Sequence, residues 1–169
     1  MKKWICLVCV SVLSGAMTVQ AAKAQAGDQD KQFLQKASQG DANEIKLSQL
    51  AERKASSPDV RAFAKTMVTQ HTQLEKNMKS YADQWGLTPA TNLDADHQKE
   101  YEKLSKLSGK AFDKEYIDAM DKDHHDAEGL FSNEIQSTSD QDFKKAVMDG
   151  DSAVVAHTNM ADDLKSKVQ

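Results

Sequence analysis

The sequence predicts an all-α fold, and three observations carry that prediction. Aromatic residues make up 6% of the 169 residues, with only seven glycines and two prolines. Sandwiches and barrels need aromatic and β-branched runs punctuated by many turn residues, so this composition disfavours them. Charged residues reach 28% and gather opposite the apolar ones. Four long segments repeat apolar residues at alternating three- and four-residue steps, the mark of one buried helix face.

The chain opens on Met1, Lys2 and Lys3, then an apolar run from Trp4 to Leu13 and small residues Ser14 to Ala16. This reads as a secretory signal peptide over residues 1–26, cut after Ala21, Ala24 or Ala26, with the bundle domain over 27–169. The run is too short to span a membrane comfortably, and no later segment is apolar enough. Cys6 and Cys9 both lie in that run, so the exported chain has no disulfide and no thiol chemistry. Residues 1–26 hold three of the 22 basic residues and none of the 26 acidic ones, which leaves a net charge near −7 beyond them. No basic cluster exists to meet a phosphate backbone, so nucleic-acid binding is excluded.

Helix one is expected from Asp28 to Lys54, its stripe Phe33, Ala37, Gly40, Glu44, Leu47, Ala51. Ser57, Pro58 and Asp59 start helix two with a cap, a proline at the first position and an acid at the positive end. It carries Val60, Ala64, Met67, His71, Leu74, Met78, Tyr81 and Trp85, and stops at Gly86. A polar linker, Leu87 to Asp96, leads to a short helix from His97 to Leu107. The third long helix follows Ser108-Gly109 and runs to Gln136, with Phe112, Tyr116, Met120, His124, Ala127, Phe131 and Ile135 on its stripe. The last starts near Ser139, with Asp142 as its capping acid, and ends near Val168. Its stripe is Phe143, Val147, Gly150, Val154, His157, Ala161, Leu164 and Val168, and Asp149-Gly150-Asp151 is expected to kink or split it. Two hairpins joined by a long linker give a ferritin-like four-helix bundle with one short extra helix. A faint repeat supports the pairing, since Met67 and His71 recur as Met120 and His124 at an offset of 53 residues.

Each stripe is interrupted near mid-helix by one polar residue: Glu44, His71, His124 and His157. In a bundle these share a layer, and three imidazoles with one carboxylate suit one divalent transition metal, with zinc, iron and copper all open. A metal-free hydrogen-bonded layer is the alternative. Di-iron chemistry asks for more carboxylates than the stripes supply, since Val68 and Val154 stand three before His71 and His157 and only Asp121 stands three before His124. Met67 and Met120 form i, i+4 pairs with histidines, a thioether–imidazole set suited to Cu(I), although methionine in a stripe usually fills core. Asp123 is a further alternative ligand. His97 is expected at the surface, and His125 on the flank, paired with Glu128 or facing solvent.

Five segments together resemble a large family of exported bacterial ferritin-like proteins classed as a domain of unknown function, at times labelled membrane or outer-membrane proteins. They are Gly40 with Glu44, Ile45, Leu47 and Leu50-Ala51; Val60-x2-Phe63-Ala64-x2-Met67-Val68-x2-His71; Leu107-Ser108-Gly109-x2-Phe112-Asp113-x2-Tyr116; Met120-x2-Asp123-His124; and His157. The resemblance spans about Asp30 to Leu164. It implies a bundle outside the cytoplasm with Glu44, His71, Asp123, His124 and His157 as its polar positions. Gln70 replaces the aspartate that usually precedes the first histidine, which removes one carboxylate partner for a metal ligand. Gly150-Asp151-Ser152 replaces the usual Leu-Pro step. The expected function is non-enzymatic binding in the cell envelope or periplasm, or secreted. The alternatives are a structural or stress-protective protein and, third, a metal-dependent oxidoreductase. An envelope component or a second copy of the chain is left open as a partner.

Overall fold

The computed structural model describes residues 27–168, so the signal peptide expected over 1–26 lies outside the described residues. The described residues form five helices and no strands: α1 (Asp28–Lys54), α2 (Pro58–Trp85), α3 (Ala95–Lys106), α4 (Gly109–Ser137) and α5 (Gln141–Lys165). None of these helices is long and apolar enough to cross a membrane.

α1 packs along α2, and α4 along α5. The pairs meet through α1 against α4 and α2 against α5, while α3 lies across α1 and α4. At one end Asp113, at the start of α4, accepts from the backbone N–H groups of Ser56 and Ser57 at 2.9 and 2.8 Å and from the Ser56 hydroxyl. At the other end Gln29 donates to Ser137. The start of α4 therefore lies beside the end of α1, and the two run antiparallel.

Two apolar clusters fill the interior. One holds Leu47, Val60, Phe63, Met67, Phe112 and Tyr116 among others. The second, towards the opposite end, is built on Phe33, Phe131, Phe143 and Val147. Tyr81 and Trp85 close that end on Phe143, with ring centroids 5.0 and 4.7 Å away. Burying such side chains is worth roughly 1.5–3 kcal/mol each, and it stabilises described residues that include no cysteine.

Several boundaries differ from the sequence reading, each for a local reason. α3 begins at Ala95 because Asp94 caps it, accepting from the N–H groups of Asp96 and His97. α5 begins at Gln141 because Asp140 caps it, so Asp142 stands in the first turn and is not the capping acid. α5 also ends at Lys165, short of Val168, and runs unbroken through Gly150. Gly150 marks a close approach instead: a Cβ there would sit 2.7 Å from the Phe131 ring. Bare backbone lets α4 and α5 close on that ring.

Candidate metal centre

The four mid-stripe residues come together between the two apolar clusters. Glu44 (α1), His71 (α2), His124 (α4) and His157 (α5) are all buried. The three histidines converge, each offering one ring nitrogen within 4.8 Å of the others. Their ring centroids lie 5.0–5.5 Å apart. Glu44 does not share this mutual spacing. Its Oε1 lies 3.7 Å from His124 Nδ1, on the outer side of that ring, and its Oε2 is buried without a partner. Burial first, then the charges of Asp123 and Asp41, push the Glu44 carboxyl well above its usual range, so it is held neutral.

The outer nitrogens decide what the inner ones can do. His71 Nδ1–H donates to Asp41 Oδ1 at 2.8 Å. His124 Nδ1–H donates to the Met120 carbonyl at 2.8 Å. His157 Nε2–H donates to Gln70 Oε1 at 2.5 Å. A neutral imidazole carries one N–H, so an outer acceptor leaves the inner nitrogen as a bare lone pair. His124 and His157 are neutral at pH 7. Burial, then the neighbouring His71, pulls His124 down to about 4. Burial, then His71 and His124, pulls His157 down to about 3.

The inner nitrogens of His124 and His157 therefore face each other as lone pairs, with His71 Nε2 beside them. His124 Nε2 and His157 Nδ1 are 3.2 Å apart with no proton between them, and His71 Nε2 is buried without any hydrogen-bond partner. Bonds of about 2.0–2.1 Å in a tetrahedral site put ligand nitrogens about 3.3 Å apart, so this spacing fits a Zn(II)-sized ion. Three imidazoles oriented by outer acceptors are a donor set that could hold a transition metal.

A cavity of about 360 Å³ opens onto this group between α1 and α4, lined by Gly40, Asn43, Glu44, His71, Asp123 and His124 among others. A Cβ on Gly40 would meet nothing within 4 Å, so the glycine leaves this space open. At its rim His97 is half-buried, not a plain surface residue. Its Nδ1 lies 2.8 Å from Asp94 Oδ1 and its Nε2 3.3 Å from Asp123 Oδ2. Asn43 donates to Asp94 at 2.8 Å. Asp123 bonding, against burial and with help from Asp94, raises His97 to about 9. Asp123 is thus engaged by an imidazolium and not by the three histidines.

Met67 and Met120 are fully buried in the first apolar cluster. Met120 reaches the site through its backbone carbonyl. Sequence reasoning passed over Asp41, although it stands four after Ala37 and three before Glu44, at helical spacing on the flank of the stripe. Gln70, which departs from the family's usual aspartate, serves as the acceptor for His157. His125 is about half exposed on the flank and lies nearest Asp121 and Asp162.

The family model for DUF4142, a domain of unknown function, matches residues 15–164. The chain belongs to the DUF4142 family. No curated protein matches this DUF4142 chain significantly. Solved structures show the shape of its fold. A DUF305 protein of Streptomyces coelicolor, described as a "putative secreted protein", is 16% identical with a TM-score of 0.71, covering 83% of this chain and 92% of that one. A DUF305 fragment from Deinococcus radiodurans is 16% identical with a TM-score of 0.68, covering 86% and 98%. A structure described as "CopM in the Cu(II)-bound form" is 20% identical with a TM-score of 0.70, covering 83% and 97%. At these identities the DUF4142 chain shares a fold with all three.

Proposed function

We propose that this protein is an exported, non-enzymatic metal-binding protein, a ferritin-like four-helix bundle that holds one transition-metal ion on His71, His124 and His157. The observation that carries the reading is the convergence of three buried histidine rings whose outer nitrogens are all hydrogen-bonded. Without a cation, the inner nitrogens of His124 and His157 oppose each other at 3.2 Å. Binding an ion relieves that opposition and uses the unpartnered His71 Nε2. The neutral state of His124 and His157 removes any need to displace a proton from them. Imidazole ligands favour Cu(II) or Zn(II), and the Cu(II)-bound neighbour of the same fold makes copper the first ion to try. The neighbour described as secreted supports export, as does the positive and apolar start of the chain, with cleavage after Ala21, Ala24 or Ala26.

The test is equilibrium dialysis of the purified protein against Cu(II) or Zn(II) alone. One tightly held ion per chain is expected at this centre. His71→Ala and His157→Ala should each weaken it at least tenfold, and Asp41→Asn about 10–100-fold by misorienting His71. Unchanged binding in both histidine variants refutes the site.

A second reading has its own support. Glu44 is held neutral, and Ser48 and Tyr116 hydrogen-bond at 2.8 Å one turn further along. Such a polar layer fixes the register of packed helices without a metal. In that case the protein takes up no ion at the histidines, and its stability is the same with or without chelator.

A further inference from the structure

A second group of ligand-competent side chains lies outside the centre, in the groove between α4 and α5. Asp121 and His125 are one turn apart on α4, and Asp162 faces them from α5. One ligand atom of each falls within 4.8 Å of the other two. His125 Nε2 is 3.5 Å from Asp121 Oδ1 and 3.9 Å from Asp162 Oδ1. An ion bound at about 2.0–2.2 Å separates neighbouring ligand atoms by about 3.3 Å, so small side-chain rotations close this set around one.

The independent observation is the state of Asp121. The residue is only 6% exposed, and its Oδ1, aimed at His125, has no hydrogen-bond donor. A buried carboxylate oxygen without a donor is costly. Its other oxygen takes the Lys165 ammonium. Burial works to raise the Asp121 carboxyl, but the Lys165 ammonium, with help from His125, outweighs it and holds the group below its usual range. Asp121 is therefore an ionised ligand with one oxygen still unserved. His125 and Asp162 are each about half exposed and free to adjust.

We propose that Asp121, His125 and Asp162 form a second cation site, one imidazole and two carboxylates, that takes a borderline divalent ion such as Zn(II) or Cu(II) at the surface. The donor set is harder than three imidazoles, and the Lys165 ammonium competes for the same carboxylate. The site is thus the weaker of the two and exchanges ions with solvent.

Cu(II) alone, titrated into the purified protein and followed by electron paramagnetic resonance together with equilibrium dialysis, tests this. Two ions per chain are expected, the weaker with the splitting pattern of one nitrogen ligand. His125→Ala should remove the weaker ion and leave the melting curve unchanged. Lys165→Ala should tighten it at least threefold, an effect that a simple surface ion-pair network would not produce. Identical affinities in wild type, His125→Ala and Lys165→Ala overturn the proposal. A single ion lost only in His157→Ala also overturns it and leaves the histidine centre standing. A single ion lost only in His125→Ala upholds it and refutes that centre.

Discussion

Replacing His157 by glutamine should make the protein less sensitive to acid, and the size of the effect follows from burial. His157 is fully buried and titrates at about 3 in the folded chain. In the unfolded chain an exposed histidine titrates near 6.5. Between those values the unfolded state holds a proton that the folded state does not. The stability due to a neutral His157 is therefore complete above about pH 6.5 and is lost progressively as pH falls towards 3. At pH 5 the loss is about 2 kcal/mol, from about 1.4 kcal/mol per unit over 1.5 units. For a domain of this size that is about 4–8 °C in melting temperature. Glutamine at this position carries no such loss. The absolute melt of the wild type is a poor readout, because several carboxyls, Glu44 and Glu134 among them, act in the opposite sense. Glu44 is raised by burial, and Glu134 is raised to about 7 by burial and then by Asp30. Both favour the folded state as pH falls. They are present in both proteins, so they cancel in the difference. Urea denaturation in chelator at pH 7.5 and pH 5.0 gives that difference directly. A wild-type-minus-variant stability that changes by less than about 0.5 kcal/mol between the two would refute the neutral burial of His157.

Two further outcomes bear on the surrounding structure. Glu44→Gln keeps a neutral side chain of the same shape, so it should gain stability relative to wild type as pH rises from 5 to 8, by at most about 1.4 kcal/mol per unit. Denaturation curves across that range check this, and a variant that loses ground with rising pH would show that Glu44 is ionised. Asp113→Ala removes a buried carboxylate that ties the α1–α2 turn to α4, and should cost about 3 kcal/mol, or some 6–12 °C, with metal uptake unchanged. A melt within 2 °C of wild type, about 0.5–1 kcal/mol, would count against that role.

The sequence by itself determined where the helices lie and most of the apolar residues that face inward. Ser57-Pro58 and Gly86 bound α2 because capping and left-handed termination are local chemistry. The stripes put His71, His124 and His157 inside because a 3.6-residue period is fixed by the backbone. Errors fell where two local signals competed. Asp94 and Asp140 outbid His97 and Ser139 as helix starts, since a carboxylate positioned before two free N–H groups caps better than its neighbours. Gly150 reads as a break from propensity alone, but the ring of Phe131, supplied by another helix, makes a bare backbone the requirement there.

Only the tertiary structure decided the chemistry of the centre. Whether a histidine offers a lone pair or a proton inward depends on what its outer nitrogen meets, and Asp41 and Gln70 each come from a helix other than that of the histidine they bond, 30 and 87 residues away in sequence. The same holds for Glu44, which pattern places in the layer but packing leaves on the far side of His124. Asp121, His125 and Asp162 lie off the stripes altogether, and no periodicity marks a groove between two helices. Periodicity specifies a face; the partner of an atom on that face is set by the crossing of helices distant in sequence.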